Sequence, residues 1–360
     1  MSILTIVGAR PQFIKAAPVQ KAFKEAGLTD FLVHSGQHFD ANMSDVFFDE
    51  LGLRRPDFHL GVGANPPDLQ LAEMIQGLNK VLAEVKPEAV VVFGDTTTTL
   101  AGTMSAIHNG CLLAHVEAGL RSYNRAMPEE YNRRLTDHAA DLLFCPSNES
   151  VRNLASEGVT EGVHNVGDPM YDALLQFEDI IRERSTILAN LGLAGGDYDV
   201  LTLHRGYTVD DPAILGEVME AIAATGRQTV FPLHPRTRDR LTRFGLLEAV
   251  EAGPIRLLDP LGYIDMMRLV MDAARVLTDS GGLQKEAFYL GVPCITLRPE
   301  TEWVETLEGG WNRLAGQAPE TIRAAISSLE APSGPRSDCY GTGRSAEQMA
   351  ALLQAALSAR

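Results

Sequence analysis

Cysteine is scarce and scattered. Only Cys111, Cys145, Cys294 and Cys339 occur, and no two form a CxxC pair. That excludes a zinc ribbon and a thioredoxin-type redox site. Three of the four lie in apolar runs and read as buried free thiols of a cytosolic protein. Basic charge is also short: 31 Lys and Arg stand against 47 Asp and Glu, a net charge of −16. A surface of that sign excludes nucleic acid and an anionic membrane as partners. No apolar run approaches the ~20 residues of a membrane span. The first residues, MSILTIVGARPQ, enter a strand with no basic leader or cleavage site, so a cytoplasmic protein is expected. HExxH and Walker patterns are missing. Gly61-Val62-Gly63 lacks a third glycine and runs into Pro66-Pro67, so no nicotinamide site is expected. Neither a metal nor a cofactor is expected.

What the chain does have is length and alternation. Its 360 residues, 45 % hydrophobic and 22 % charged, exclude wholesale disorder and suffice for two domains. Short apolar runs recur at Ile3–Gly8, Phe31–Gly36, Ala89–Asp95, Leu112–Glu117, Leu142–Pro146 and Val163–Asp168. They continue at Val200–His204, Val230–His234, Ile255–Asp259, Arg275–Asp279 and Cys294–Arg298. Amphipathic helical patterns such as Leu69–Val85 and Ile264–Ala274 separate them. This alternation predicts α/β architecture with parallel sheets covered on both faces. Eleven runs are many for one sheet, so two doubly wound sheets are expected. The expected domains are residues 1–168 and 169–345, with a terminal helix in 346–360 packing back on the first.

Polar residues gather where the apolar runs end. Arg10 follows the first run, Gln37 and His38 the second, Asp95 the third and Glu117 the fourth. His204 and Arg205, His234, and Asp279-Ser280-Gly281-Gly282 do the same in the second half. Ligands of open α/β sheets bind beyond the carboxyl ends of strands. Two sheets with facing tips would collect these residues in one cleft.

Single motifs carry less. Gly281 and Gly282 precede a helix, an arrangement that aims backbone N–H groups at an anion such as diphosphate, with Glu286 one turn in. The same residues also make a tight turn capped by Ser280. Arg10 and Lys15 would neutralise phosphate charge, or Lys15 lies on a solvated helix face. Burial of Glu117 would tune it for proton transfer, and His115 shares its strand face. Glu129 suits either acid–base work or the positive end of a helix dipole. His204 and His234 close their strands as functional tips or as packed caps.

Eight strings in order carry a resemblance: GARPQFIKAAPV from Gly8, SGQHFDANM from Ser35, FGDTTTTLAG from Phe93 and HVEAGLRS from His115. MPEEYNR from Met127, LHR from Leu203, LHPRTR from Leu233 and LTDSGGLQKEA from Leu277 complete the set. Over nearly its whole length the chain resembles the non-hydrolysing UDP-N-acetylglucosamine 2-epimerase family. The resemblance implies a GT-B fold, two Rossmann-like domains facing across a cleft, and usually a homodimer. It implies an isomerase that interconverts UDP-N-acetylglucosamine and UDP-N-acetylmannosamine, eliminating UDP to a 2-acetamidoglucal and adding it back. Asp95, Glu117 and Glu129 are then the acid–base carboxylates, and His204 the histidine near the diphosphate. Arg10, Lys15, Gln37, His38, Arg205, His234, Ser280, Gly281, Gly282 and Glu286 would bind the UDP-sugar.

The chain also departs from that pattern. Trp303 replaces an arginine of the late Thr-Glu-Arg-Pro-Glu loop, and Gly206-Tyr207-Thr208 follows LHR where a glutamate is common. Asp40 stands where members with a regulatory second site tend to carry glutamine. SGQHFDANM, LRSYNRAMPEE, LHPRTR and TEWVE look closer to the branch acting on UDP-2,3-diacetamido-2,3-dideoxy-glucuronate. Arg121, Arg125, Arg133 or Arg205 would pair with the carboxylate of that sugar. A GT-B glycosyltransferase and a non-catalytic UDP-sugar sensor share the nucleotide site. The acidic balance and the intact carboxylate set argue against both.

Overall fold

The structure is a computed structural model describing residues 1–37, 53–63, 65–316, 318–328 and 332–360. Its contacts divide the chain into two compact units. The first comprises Met1–Phe177 with Asp338–Arg360, and the second Glu178–Ser337. The helix Pro169–Arg184 runs through the first boundary.

The first unit holds a seven-stranded sheet. Its strands are β1 (Ser2–Val7), β2 (Thr29–His34), β3 (Phe58–His59), β4 (Ala89–Phe93), β5 (Leu112–Val116), β6 (Leu142–Cys145) and β7 (Val163–Asn165). The order is β3-β2-β1-β4-β5-β6-β7, with every pairing parallel. Ile6 lies level with Val33 on one side and Val92 on the other. All residues of β4 and β5 are buried, as continuous apolar runs require when helices cover both faces of a sheet. Leu4, Ile6, Val90 and Val92 pack with Met74 and Leu78 of the helix Pro67–Val85.

The second unit repeats the plan with β8 (Tyr198–Thr202), β9 (Gln228–Pro232), β10 (Ile255–Leu258), β11 (Arg275–Thr278), β12 (Cys294–Thr296) and β13 (Asn312–Leu314). The order is β10-β9-β8-β11-β12-β13, again all parallel. Leu201, Phe231, Leu277 and Ile295 form its core with Val218 and Ile222 of the helix Pro212–Ala224. The two doubly wound parallel sheets expected from sequence are therefore present. Two strands were not expected. β3 and β13 are edge strands of two and three residues, too short to show a hydrophobic pattern.

The C-terminal helix Ser345–Ser358 belongs to the first unit and packs on the helix Arg10–Glu25. Asp172 accepts the Ala346 N–H at 2.7 Å and ties down its first turn. No helix among the described residues is long and apolar enough to cross a membrane.

Close helix-to-sheet approach positions the loop after β4. A side-chain carbon at Gly102, on the helix Thr97–His108, would lie 2.6 Å from Val92 Cγ1 and 3.1 Å from Ile6 Cδ1. Gly102→Val should therefore overpack this contact and cost about 1–3 kcal/mol. A lowered Tm in scanning calorimetry checks it; an unchanged Tm would show that the helix can move away freely.

Candidate active site

Both sheets reverse their strand order between two central strands, β1 and β4 in the first unit and β8 and β11 in the second. Open α/β sheets bind ligands at the carboxyl ends of the strands flanking such a reversal. The candidate residues cluster there in each unit.

In the first unit, β1 leads into the helix Arg10–Glu25. Arg10 is its first residue, with a side chain outside the described part. Gln12 knits the loops together. Its Oε1 accepts the Gly8 N–H at 2.7 Å, and its Nε2 donates to the Phe93 carbonyl at 2.7 Å and to Thr96 Oγ1 at 3.1 Å. Lys15, one turn along, is buried and pairs with Glu117. Gln37 accepts from Thr98 N–H at 3.1 Å and Thr98 Oγ1 at 2.7 Å. His38 and Asp40 lie outside the described residues.

Asp95 follows β4 and pairs with Arg133. Its carbonyl accepts from Asn132 Nδ2 at 2.9 Å. Glu117 follows β5 with φ of 72°, in the left-handed region that a side chain adopts only at some cost. Sequence reading expected burial alone to act on this carboxyl. The structure adds a cation, since Lys15 is held against it rather than standing on a solvated face. Glu129 sits in the first turn of the helix Pro128–Ala139. Arg133 of that helix also bonds Glu130 at 3.0 Å, and Glu130 accepts from Ser122 N–H and Oγ at 2.9 and 2.8 Å. Glu117 thus pairs with Lys15, and Asp95 with Arg133, which sequence reading had placed only as a substrate partner.

A largely buried layer supports these turns. Asp137 accepts from Arg121 Nη1 at 2.7 Å and from the Gly119 N–H at 3.1 Å, and meets His115 Nδ1 at 2.7 Å. Arg121 continues into a two-pronged pair with Glu157 at 2.9 and 2.8 Å. Sequence reading did not single out Asp137. The signal was available: Glu129, Arg133 and Asp137 recur every four residues, which puts them on one helix face.

In the second unit, Asp279 ends β11 fully buried and organises the end of β8. It accepts from the backbone N–H groups of His204 at 3.0 Å and Arg205 at 2.9 Å, and pairs with His204 Nδ1 at 3.1 Å. Sequence reading had placed Asp279 at this strand end but had given it no role of its own. His234 lies with its ring 5.8 Å from that of His204 and caps the helix Pro235–Arg243 by accepting the Arg236 N–H at 3.2 Å. Burial, then the neighbouring His204 and Arg236, push the His234 pKa down, favouring the neutral ring that the cap requires. Ser280 caps the helix Gly281–Leu290, and Glu286 lies buried within it. A side-chain carbon at Gly281 would sit 3.6 Å from Trp303 Nε1 and 3.8 Å from Arg298 Nη1. Among the described residues no group of three His, Cys, Asp or Glu side chains could hold a metal ion.

Glu157 offers a stability test of the supporting layer. Its hydrogen bonds from Arg121 hold its pKa at about 2, below the ordinary 4.5. A depressed folded-state pKa contributes stability above the unfolded value, and that contribution is lost as pH falls through the folded one. Glu157→Gln should therefore lower stability most above pH ~5, with the gap to wild type closing toward pH ~2. Urea titrations across that range measure it; a gap independent of pH would show that the ion pair contributes nothing.

With the geometry in place, comparison with known proteins identifies the lineage. The family model of UDP-N-acetylglucosamine 2-epimerase matches residues 21–354. UDP-2,3-diacetamido-2,3-dideoxy-D-glucuronate 2-epimerase of Pseudomonas aeruginosa is 43 % identical over 362 residues, covering 98 % of this chain and 99 % of that protein. A UDP-N-acetylglucosamine 2-epimerase homolog of Methanococcus maripaludis is 41 % identical over 356 residues, with 98 % and 99 % covered. The crystal structure of Methanocaldococcus jannaschii UDP-GlcNAc 2-epimerase, in complex with UDP-GlcNAc and UDP, superposes with a TM-score of 0.90. It is 38 % identical, with 99 % of this chain and 100 % of that one covered. Sucrose-phosphate synthase from Thermosynechococcus elongatus, 14 % identical with a TM-score of 0.68, shares the fold alone. The fold is GT-B, with two Rossmann-like domains. The chain belongs to the UDP-N-acetylglucosamine 2-epimerase family.

Proposed function

We propose that this chain is a non-hydrolysing 2-epimerase, an isomerase interconverting UDP-N-acetylglucosamine and UDP-N-acetylmannosamine. The observation that carries the reading is the pair Asp95 and Glu117, each at the carboxyl end of a central strand and each against a cation, in a chain of this family. The carbon-2 proton is not acidic enough for simple removal and return. Elimination solves that: a base takes the proton, the carbon 1–oxygen bond breaks, and its electron pair leaves on UDP. A 2-acetamidoglucal remains. UDP oxygen then attacks carbon 1 while an acid returns a proton to carbon 2 from the other face. Asp95, Glu117 and Glu129 serve as the acid–base groups. In the second unit, Ser280, Gly281 and Gly282 offer helix N–H groups to the diphosphate, with His204, Arg205 and His234 beside it and Glu286 on the ribose. Arg10, Lys15, Gln37 and His38 complete the substrate contacts.

The 43 % identity to the Pseudomonas aeruginosa enzyme favours a second reading, in which the substrate is UDP-2,3-diacetamido-2,3-dideoxy-glucuronate. The extra carboxylate then needs a cation. Arg121 and Arg133 are buried and committed to Asp137 and Glu157, and to Asp95 and Glu130. Arg125 is exposed and is the better candidate in that unit. Proton NMR in deuterium oxide, with each sugar nucleotide in its own tube, separates the readings. Epimer carrying deuterium at carbon 2 should form in one tube. Silence in both, with UDP still bound, would reject the epimerase.

Asp95→Asn, Glu117→Gln and Glu129→Gln should each reduce turnover by ~100-fold or more while UDP binding is kept. Near-normal turnover in all three would remove them from the chemistry. Glu286→Ala should instead weaken UDP binding by calorimetry, and an unchanged Kd would reject its ribose role.

The enzyme acts as a homodimer in this reading. Ile107 and Met104 on the helix Thr97–His108, and Tyr131 and Leu135 on the neighbouring helix Pro128–Ala139, are exposed large apolar side chains. An exposed apolar face of this kind suits a second copy of the chain. Ile107→Arg with Leu135→Arg should sediment as a monomer where the wild type sediments as a dimer. Equal sedimentation would move the interface elsewhere. The free thiols support a reducing compartment, the cytoplasm.

A further inference from the structure

His115 lies fully buried on β5, two residues before Glu117. Each of its ring nitrogens faces an acceptor. Nδ1 is 2.7 Å from Asp137 Oδ1, and Nε2 is 2.7 Å from the Gly94 carbonyl. A carbonyl oxygen can only accept, so Nε2 carries a proton. Asp137 accepts from Arg121 Nη1 and from the Gly119 N–H and lies against the Arg121 guanidinium, the surroundings of an ionised carboxylate. Nδ1 therefore carries a proton as well. A neutral imidazole has only one N–H and would leave two acceptors face to face in a buried site.

We propose that His115 is held as an imidazolium and acts as a positioning residue for the two strand-end carboxylates. The claim about catalysis rests on the epimerase reading above. Around the ring stand the cation Arg121 and the anions Asp137 and Glu157, and Arg134 meets Glu157 from the exposed side at 3.3 Å. His138 stands at the exposed rim, 2.9 Å from Glu157. Cys145 of β6 borders the group, and burial together with Asp137 pushes its thiol pKa up, so it stays neutral.

The bonds land on the backbone that matters. The Gly94 carbonyl belongs to the peptide joining Gly94 to Asp95, and Gly94 itself is left-handed at φ 63°. Asp137 holds the Gly119 N–H, two residues past the left-handed Glu117. One imidazolium–carboxylate pair thus pins the turn that carries Asp95 and the turn that carries Glu117. A lysine has the charge but not two donors fixed at opposite ends of a rigid ring. An asparagine or glutamine can reach one acceptor and not both.

The test uses full-length protein labelled with nitrogen-15 histidine, with His115 assigned from the His115→Gln spectrum. His115 should show both ring nitrogens protonated in the folded protein. A single protonated nitrogen would overturn the imidazolium. In the epimerase assay, His115→Gln, which can still reach the Gly94 carbonyl, and His115→Asn, which can still reach Asp137, should each lower kcat by about 10–100-fold. KM and the Kd for UDP should stay within about twofold, since the ring does not hold the nucleotide. A folded variant with wild-type kcat, or one that loses KM and kcat together, would overturn the positioning role. Asp137→Asn provides a second variant, in which the ring should lose one of its protons and kcat should fall. Wild-type protein inactive on both sugars would reject the function itself, while the nitrogen spectrum would still decide the state of the ring.

Discussion

The reversal of strand order at the centre of each sheet is the constraint on which the rest depends. In a doubly wound sheet, helices leave two adjacent central strands toward opposite faces, so the strand ends there are left open. Here those strands are β1 and β4, and β8 and β11. Lys15 lies on the helix after β1, and Asp95 follows β4 by one residue, Gly94. His204 follows β8 and Ser280 follows β11. Strongly apolar strands fix these points, and short loops carry the polar groups. Changing a polar residue at a tip alters chemistry, whereas changing the apolar strand behind it moves the tip.

The two units use this geometry differently. The first meets its strand-end carboxylates and their neighbours with cations: Glu117 with Lys15, Asp95 and Glu130 with Arg133, Asp137 with Arg121. Burying ions is costly, and pairing rarely returns a large net stability. What pairing does secure is a fixed position and a fixed protonation partner, which proton transfer requires. The second unit relies mainly on fixed dipoles. Asp279 accepts from the backbone where β8 ends, His234 caps a helix through a ring nitrogen, and Ser280 caps the glycine-led helix. Oriented N–H groups suit an anion that must be gripped and later released.

Much of this was legible before any coordinates, for physical reasons. A strand buried on both faces must be a continuous apolar run, so both sheets could be read from their runs. Their polar ends marked Asp95, Glu117, His204 and His234. Long-range pairing was not legible. Lys15 and Glu117 are 102 positions apart, and a lysine on a helix looks alike whether it meets water or a carboxylate. His115 and Asp137 gave no local sign of their bond, because helix and strand periodicities describe faces rather than partners. The edge strands β3 and β13 escaped because two or three residues cannot display a period.

Trp303, at a position where the family resemblance leads one to expect arginine, shows how such partners change the meaning of a residue. Read alone, tryptophan in place of arginine removes a positive charge from the late loop. In the folded unit Trp303 is buried, and the Lys285 ammonium lies 3.7 Å from its ring centroid. A cation over an indole face is stabilised by the ring quadrupole, more strongly where water is excluded. Arg298 stands nearby, 3.0 Å from Glu302. Around the start of the helix Gly281–Leu290 a cation and a carboxylate therefore stand side by side, Glu302 Oε1 at 3.7 Å and Arg298 Nη1 at 3.8 Å from a side-chain carbon at Gly281. What Trp303 changes is the form of that surface: it brings a flat apolar ring and one uncharged N–H donor beside Gly281. An uncharged donor beside a helix terminus discriminates by shape and direction more than by net charge, so the loop constrains the form of what can lie against that terminus.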